Sequence, residues 1–453
     1  MICVGVYLHN TLLQIIHAFS TQHFIMPSTI SKLYNAASSG SVERTLDLLS
    51  GGKADIDLGC HDHGWTPLMV ASEKGYLRII RVLLRHGAGV SVKTDRGHTA
   101  LHIAVACQHL AVTKVLIKAG ANLEAKAGVV FTTGPTIIQG HTAMHLAAGE
   151  GFCTGITALI NAGAKIDNRL ENGATPLYIA ASCGKLQAVK ILLRANANPL
   201  LTVGLNCAFD VAAQEGHLGV MQHLLQRFGI DGCCRGRGIC ALEASAYMNH
   251  VDVLTFLLDS GTVDSNGTAL CSAVEGRSEA CIKLLVERRG ENPLMVDRAY
   301  TNIDDGCDNP LLCSFDTGRG YAPRIAKFLL EHGADTASNV RFEIDGLGGI
   351  DDTPLVAAKL TFRHEQTHFD VKNSEGLDGL KGVIRLLQQE RAVHANSWTW
   401  KADIKRATPN VRKLPAFKIR PGKPKVLLAA MDRYCKKQDG AFLGYNTEDK
   451  KYT

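Results

Sequence analysis

A short string, Gly-x-Thr-Pro/Ala-Leu/Met, returns at Gly64, Gly97, Gly140 and Gly173, at spacings of 33, 43 and 33 residues. A chain with such a period folds as a row of like units. Each unit buries its apolar face on its neighbours instead of round one central core. Later landmarks keep step with the string: an alanine-rich stretch (Ala71, Ala104, Ala147-Ala148), a glycine or polar break (Gly75, Gln108, Gly151), a leucine pair (Leu83-Leu84, Leu116-Ile117, Leu159-Ile160), then Gly-Ala (Gly87, Gly120, Gly163).

Each landmark has a mechanical meaning. Thr66 and its counterparts sit where a hydroxyl caps a first helix by accepting a backbone N–H. Pro67 and Pro176 occupy the first helical position, where a missing N–H costs nothing. The alanines bring helix faces close, and Gly75, Gly151 and Gly184 suit a left-handed turn between two helices. The leucine pairs belong to a buried second helix, which Gly87, Gly120 and Gly163 terminate.

The same register resembles the ankyrin-repeat family strongly over about residues 30–260 and more weakly to about 393. The resemblance implies an all-α solenoid of stacked helix-turn-helix units with hairpin-like finger loops. A capping unit at Ile30–Asp62 lacks the Thr-Pro start but holds Ala36-Ala37, Gly40 and Leu48-Leu49. Further units start near Trp65, His98, His141 and Ala174, then at Cys207, Cys240, Thr268, Asn309 and Thr353, the last ones degenerate. Around this array of 30–393, residues 1–29 form an extension or cap and 394–453 a basic, proline-bearing tail.

In this family fingers and first helices line a concave groove that binds another protein. Carried onto this chain, the exposed groove positions are Asp62, His63, Trp65, Glu73 and Lys74; Asp95, Arg96, His98 and Cys107; Gln139, His141 and Glu150; Glu171, Asn172 and Ser182; Asn206, Gln214 and Glu215; Arg237, Tyr247 and Met248. Trp65, Arg96, Arg237 and Tyr247 lead, since aromatic and arginine side chains are enriched at interface hot spots. The extra residues Ala127–Gln139 read as an elongated hairpin finger around Thr-Thr-Gly-Pro. Phe131 is its contact residue if the tip reaches a partner; the alternative is a tip folded back on the array.

His102 and His145 stand in the fourth position of the Thr-Pro-Leu-His pattern, where the family uses histidine for hydrogen bonds between repeats. Cys60-His61-Asp62-His63 lacks the second ligand pair of a structural zinc site. Cys107 and Cys183 share a column and read as small packing residues. Gly232–Gly238 is no phosphate loop, and no catalytic motif set is present. No metal, cofactor or enzymatic activity is expected.

The charge is uneven. The net charge is +6, but Trp398–Thr453 alone carries +9, which leaves −3 for the rest. The tail is read as a solvated extension, a nuclear-import signal or a contact for an acidic or nucleic-acid partner. The 14 cysteines do not suit a short disulfide framework, so a reducing cytoplasm or nucleus is expected. Residues 1–29 lack the basic start of a secretory signal and a clean membrane span. The reading is a monomeric, non-membrane scaffold or adaptor that holds a protein in the groove; the alternative is a nuclear or nucleic-acid-associated regulator working through the tail.

Overall fold

Helix pairs follow one another through the chain in the register the sequence sets. The computed structural model describes residues 30–51, 55–59, 64–129, 138–204, 206–234, 238–261, 268–288, 310–314, 323–332, 340–344 and 348–352, with isolated residues from 334 to 387. The basic tail, residues 1–29, the finger tip at 130–137 and the start of the unit at Thr353 lie outside them.

Two compact units divide at Ala241 and Leu242. The first holds the capping pair α1 (Ile30–Ser38) and α2 (Val42–Ser50), then α3 (Pro67–Lys74) with α4 (Leu77–Arg85), α5 (Ala100–Ala106) with α6 (Leu110–Lys118), α7 (Ala143–Glu150) with α8 (Cys153–Asn161), α9 (Pro176–Ser182) with α10 (Leu186–Arg194), and α11 (Ala208–Gln214) with α12 (Leu218–Cys234), which kinks at Gly229. Helix α13 (Gly238–Tyr247) follows. The second unit contains α14 (Val251–Asp259), α15 (Thr268–Glu275), α16 (Glu279–Arg288), α17 (Pro310–Cys313) and α18 (Pro323–Glu331). Strands β1 (Ala127–Val129) and β2 (Ile138–His141) make an antiparallel hairpin base, the elongated finger expected between the second and third repeats. A second antiparallel pair, β3 (Val340–Ile344) and β4 (Gly348–Asp352), was not anticipated.

In the first unit odd-numbered helices stack on odd and even on even. Ala71, Ala104, Ala147, Ala180 and Ala212 are fully buried on the first helices, and Leu83, Leu116, Leu159, Leu192 and Leu224 on the second. Alanine between first helices permits closer axes than leucine between second helices. Burial of one leucine side chain contributes about 1.5–3 kcal/mol.

The capping pair differs where an internal repeat would meet its predecessor. Asn35 is exposed where Val70, Ile103 and Ile179 are buried, and Arg44 where Ile79, Val112 and Ala188 are buried. A terminal repeat needs such a polar outer face.

The caps work as expected, with one elaboration. Thr66 Oγ1 accepts from Met69 N–H at 3.3 Å and Thr175 Oγ1 from Tyr178 N–H at 3.2 Å. In the next two repeats histidine closes the box: Thr99 N–H donates to His102 Nδ1 and Thr142 N–H to His145 Nδ1, both at 3.2 Å. The proton is therefore on Nε2. His102 Nε2 donates to the carbonyls of Ala125 (3.0 Å) and His141 (3.2 Å), and His145 Nε2 to those of Asn168 (3.1 Å) and Ala174 (3.3 Å). Where Cys207 replaces threonine, the Asp210 carboxylate accepts the Cys207 N–H at 2.8 Å.

A carboxylate ladder links successive fingers. Asp57 accepts from Gly89 N–H at 2.8 Å, Glu124 from Lys165 N–H at 2.8 Å and from Asn168 Nδ2 at 2.6 Å, and Asp167 from Asn198 N–H at 3.1 Å.

Replacing Leu83 or Leu192 with Ala is expected to cost about 2–5 kcal/mol in urea unfolding of the array, as for other fully buried leucines; a shift below about 0.5 kcal/mol, a typical surface effect, would contradict this register.

A pH dependence follows as well. Burial, with His98 next, holds His102 down to about 3, and burial holds His145 down to about 4. In the unfolded chain imidazoles titrate near about 6.5. As pH falls below that value the unfolded state takes up protons that the folded state refuses. These groups' contribution is therefore complete above pH ~6.5 and is lost as pH falls toward 4 and then 3, by up to about 1.4 kcal/mol per pH unit per imidazole. Urea midpoints measured from pH 7 to pH 4 should fall, and fall less steeply in the variant His102→Asn/His145→Asn.

Candidate partner-binding surface

Two columns of side chains in the first unit are left over after the framework is satisfied. One is the residue just before each cap: Trp65, His98, His141, Ala174 and Asn206. The other closes each first helix: Lys74, Cys107, Glu150, Cys183 and Glu215. Framework positions keep their chemistry from repeat to repeat, and these do not.

In the cap-preceding column Trp65, His98 and Asn206 are half-buried, with their remaining surface available to a partner. Arg96, two residues before His98, is also half-buried, and Asp95 and Glu171 on the fingers are exposed. His98 meets His102 edge-on with ring centroids 6.1 Å apart. Burial, then the Arg96 guanidinium, pushes His98 down to about 4, so its ring is neutral near pH 7.

His141 corrects the sequence reading, which placed it on the exposed groove. It is fully buried. It ends β2, its ring stands edge-on to His145 with centroids 6.3 Å apart, and its carbonyl accepts from His102 Nε2. The elongated finger turns this side chain inward, whereas the ordinary finger before Thr99 leaves His98 at the rim. Glu73 and Ser182 are also buried, not exposed. Glu73 is the next-to-last and Ser182 the last residue of its helix, and the histidine of the next repeat reaches the carbonyl of each.

The helix-end column is set by contacts the sequence reading missed. His109 Nε2 donates to the Glu73 carbonyl at 2.8 Å, and His217 Nε2 to the Ser182 carbonyl at 2.9 Å. Each imidazole reaches back from the turn of a later repeat and pins the end of an earlier first helix. A Cβ at Gly75 would run into the His109 ring, and Gly75 has φ +73, so this turn requires glycine twice over. The only sequence signal was a histidine just after the left-handed turn residue, as at Gln108-His109 and Gly216-His217.

Lys74 is exposed and pairs with Glu73 at 3.2 Å. The half-buried thiols of the same column are held protonated. Burial, then Glu73, raises Cys107 to about 11, and burial raises Cys183 to about 12. Burial, then Glu215, raises Tyr178 to about 12. Protonated thiols are neither nucleophiles nor good metal ligands. Among the described residues no group of three His, Cys, Asp or Glu is placed to hold a metal ion. What this surface offers is shape, hydrogen bonding and a few charges.

Tyr247 and Met248, both half-buried, belong to the second unit, where the Tyr247 carbonyl accepts from Ser278 Oγ at 2.9 Å. Phe131, Arg237 and the Cys60–His63 cluster lie outside the described residues. Among the described residues no helix is long and apolar enough to cross a membrane.

A family model described as ankyrin repeats (3 copies) matches residues 33–127, 130–203 and 209–297, more than half of the chain. The chain therefore belongs to the ankyrin-repeat family. Its fold is an all-α repeat solenoid, a class that generally mediates protein–protein interactions and is typically non-enzymatic. No curated protein matches the chain.

Cys183 should react slowly with a disulfide reagent at pH 7.5 in the folded protein and at the rate of a free thiol in urea. Equal rates in the two states would contradict a protonated, half-buried thiol there.

Proposed function

We propose that this chain is a non-enzymatic scaffold or adaptor that holds a protein partner on the fingers and first-helix ends of its first unit. One observation carries the reading. In a single register the first-helix alanines and the second-helix leucines are fully buried and constant, while Trp65, Lys74, Arg96 and His98 vary from their counterparts and keep accessible surface. A rigid stack offers such a surface with little ordering cost on binding. Arg237 and Phe131 of the first unit belong to the proposed contact set, and Tyr247 and Met248 are proposed as a separate contact on the second unit. Cys107, Cys153, Cys183, Cys207, Cys271, Cys281 and Cys313 are in no disulfide, which goes with a cytoplasmic or nuclear setting.

Affinity capture from lysate, comparing the full chain with a Trp65→Ala/Arg96→Ala variant, tests the reading. A specific protein retained by the first and lost from the second is the expected result. Capture that is indifferent to the two substitutions would sink it. The substitutions should cost about 1 kcal/mol or less each in stability, as partly exposed positions do.

A further inference from the structure

Four consecutive second helices of the first unit carry charge of one sign, unlike the capping α2, which holds Glu43 and Asp47. Helices α4, α6, α8 and α10 read LRIIRVLLR, LAVTKVLIK, CTGITALIN and LQAVKILLR, with seven Lys/Arg and no Asp or Glu. The acidic residues described in these repeats sit elsewhere, on fingers and first helices: Glu73, Asp95, Glu124, Glu150, Asp167 and Glu171.

The cations fall in two columns. Arg81, Lys114 and Lys190 share one position of the second helix; Arg85, Lys118 and Arg194 share another, four residues on. Residues four apart lie on one helix face, about 5–6 Å between Cβ atoms. Each of three helices thus presents a like-charged pair. Neighbouring second helices stack about 8–10 Å apart, so the pairs form a ribbon about 30 Å long. Lys190 is half-buried and the other five are exposed. Among the described residues no ion pair involves any of them.

Helix stability accounts for one column only. Arg85, Lys118 and Arg194 lie in the last turn, where a cation offsets the negative helix end. Arg81, Lys114 and Lys190 are mid-helix, and each repels the cation one turn on. An ordinary soluble surface intersperses the two signs. The positive field is felt by a neighbour: burial, then Lys190, Arg227 and Arg194, pushes His223 of α12 down.

We propose that the face formed by α4, α6, α8 and α10 docks an acidic polypeptide segment. Regular cation pairs along a rigid ribbon suit carboxylates on an extended or helical chain, and one-sign fields speed and orient such encounters. Lipid is disfavoured because α4, α6, α8 and α10 carry none of the large exposed hydrophobics of the described residues; Leu46 is on α2, and Leu58 and Tyr76 lie outside the helices. Single-stranded nucleic acid is disfavoured because these helices contain no aromatic residue on which a base stacks, and duplex DNA is an outcome of the test. The third repeat interrupts the ribbon with Thr157 and Asn161, which supplies a gain-of-function test. This surface is separate from the finger face and does not depend on it.

Fluorescence anisotropy of the full chain with labelled poly-L-glutamate provides the test, with duplex DNA and phosphatidylserine vesicles as comparison probes. The basic tail is present in every variant, so differences report the array alone. Arg81→Glu/Lys114→Glu/Lys190→Glu should weaken poly-glutamate binding about tenfold or more and flatten its salt dependence. Thr157→Lys should tighten it about threefold, and Trp65→Ala should leave it unchanged. Thermal unfolding of each variant by circular dichroism checks the fold; if the triple variant fails to fold, Thr157→Lys decides. Poly-glutamate affinity unmoved by the reversals and by Thr157→Lys would overturn the proposal, as would a loss of affinity for duplex DNA or for the vesicles larger than that for poly-glutamate.

Discussion

One imidazole shows what the stack depends on. His102 accepts the Thr99 N–H on Nδ1 and donates from Nε2 to carbonyls on both legs of the next finger, at Ala125 and His141. A single buried side chain thus caps its own helix and fixes the entry and exit of the loop to the following repeat. A buried carbonyl left without a donor costs about 1–3 kcal/mol. Neutrality is part of the device, because a proton on Nδ1 would set two donors against each other at the cap. Burial keeps that proton off until pH is far below neutral.

Other repeats reach the same end by different means, and this explains how the array tolerates sequence drift. Cys207 with Asp210 replaces Thr-His. His109, His217 and, in the second unit, Ser278 tie a turn back to an earlier first helix. Asp57, Glu124 and Asp167 tie finger to finger. What recurs is the need to satisfy particular backbone groups at each junction. The side chain that satisfies them can change.

That distinction marks what the sequence could show. The helix pairs, the caps at Thr66 and Thr175, the turn glycines and the hairpin base at 127–141 were legible because each rests on local chemistry repeated at fixed spacing. The roles of His109, Asp57 and Glu124 were not. Each acts across 32 to 41 residues on a backbone atom, and a backbone partner leaves no signature in composition. His141 was misplaced for a related reason. Its column position matched exposed Trp65 and His98, but the elongated finger changes the path of the chain before Thr142 and turns the ring under β2. Register predicts orientation only where the loop length is conserved.

The titrating groups and the charge layout together bear on function. Thiols held at about 11 and 12 and imidazoles held at about 3 and 4 are inert near pH 7. His102 and His145 are spent on hydrogen bonds within and between repeats. The variable chemistry lies at two edges of the repeats: mixed, aromatic and hydrogen-bonding at the fingers, and cationic on α4, α6 and α10. Neither edge shares a side chain with the buried framework, so each can change without unfolding the other. A stack with two independently variable faces of unlike chemistry is suited to holding two partners at a fixed separation, which is what the proposed adaptor role requires.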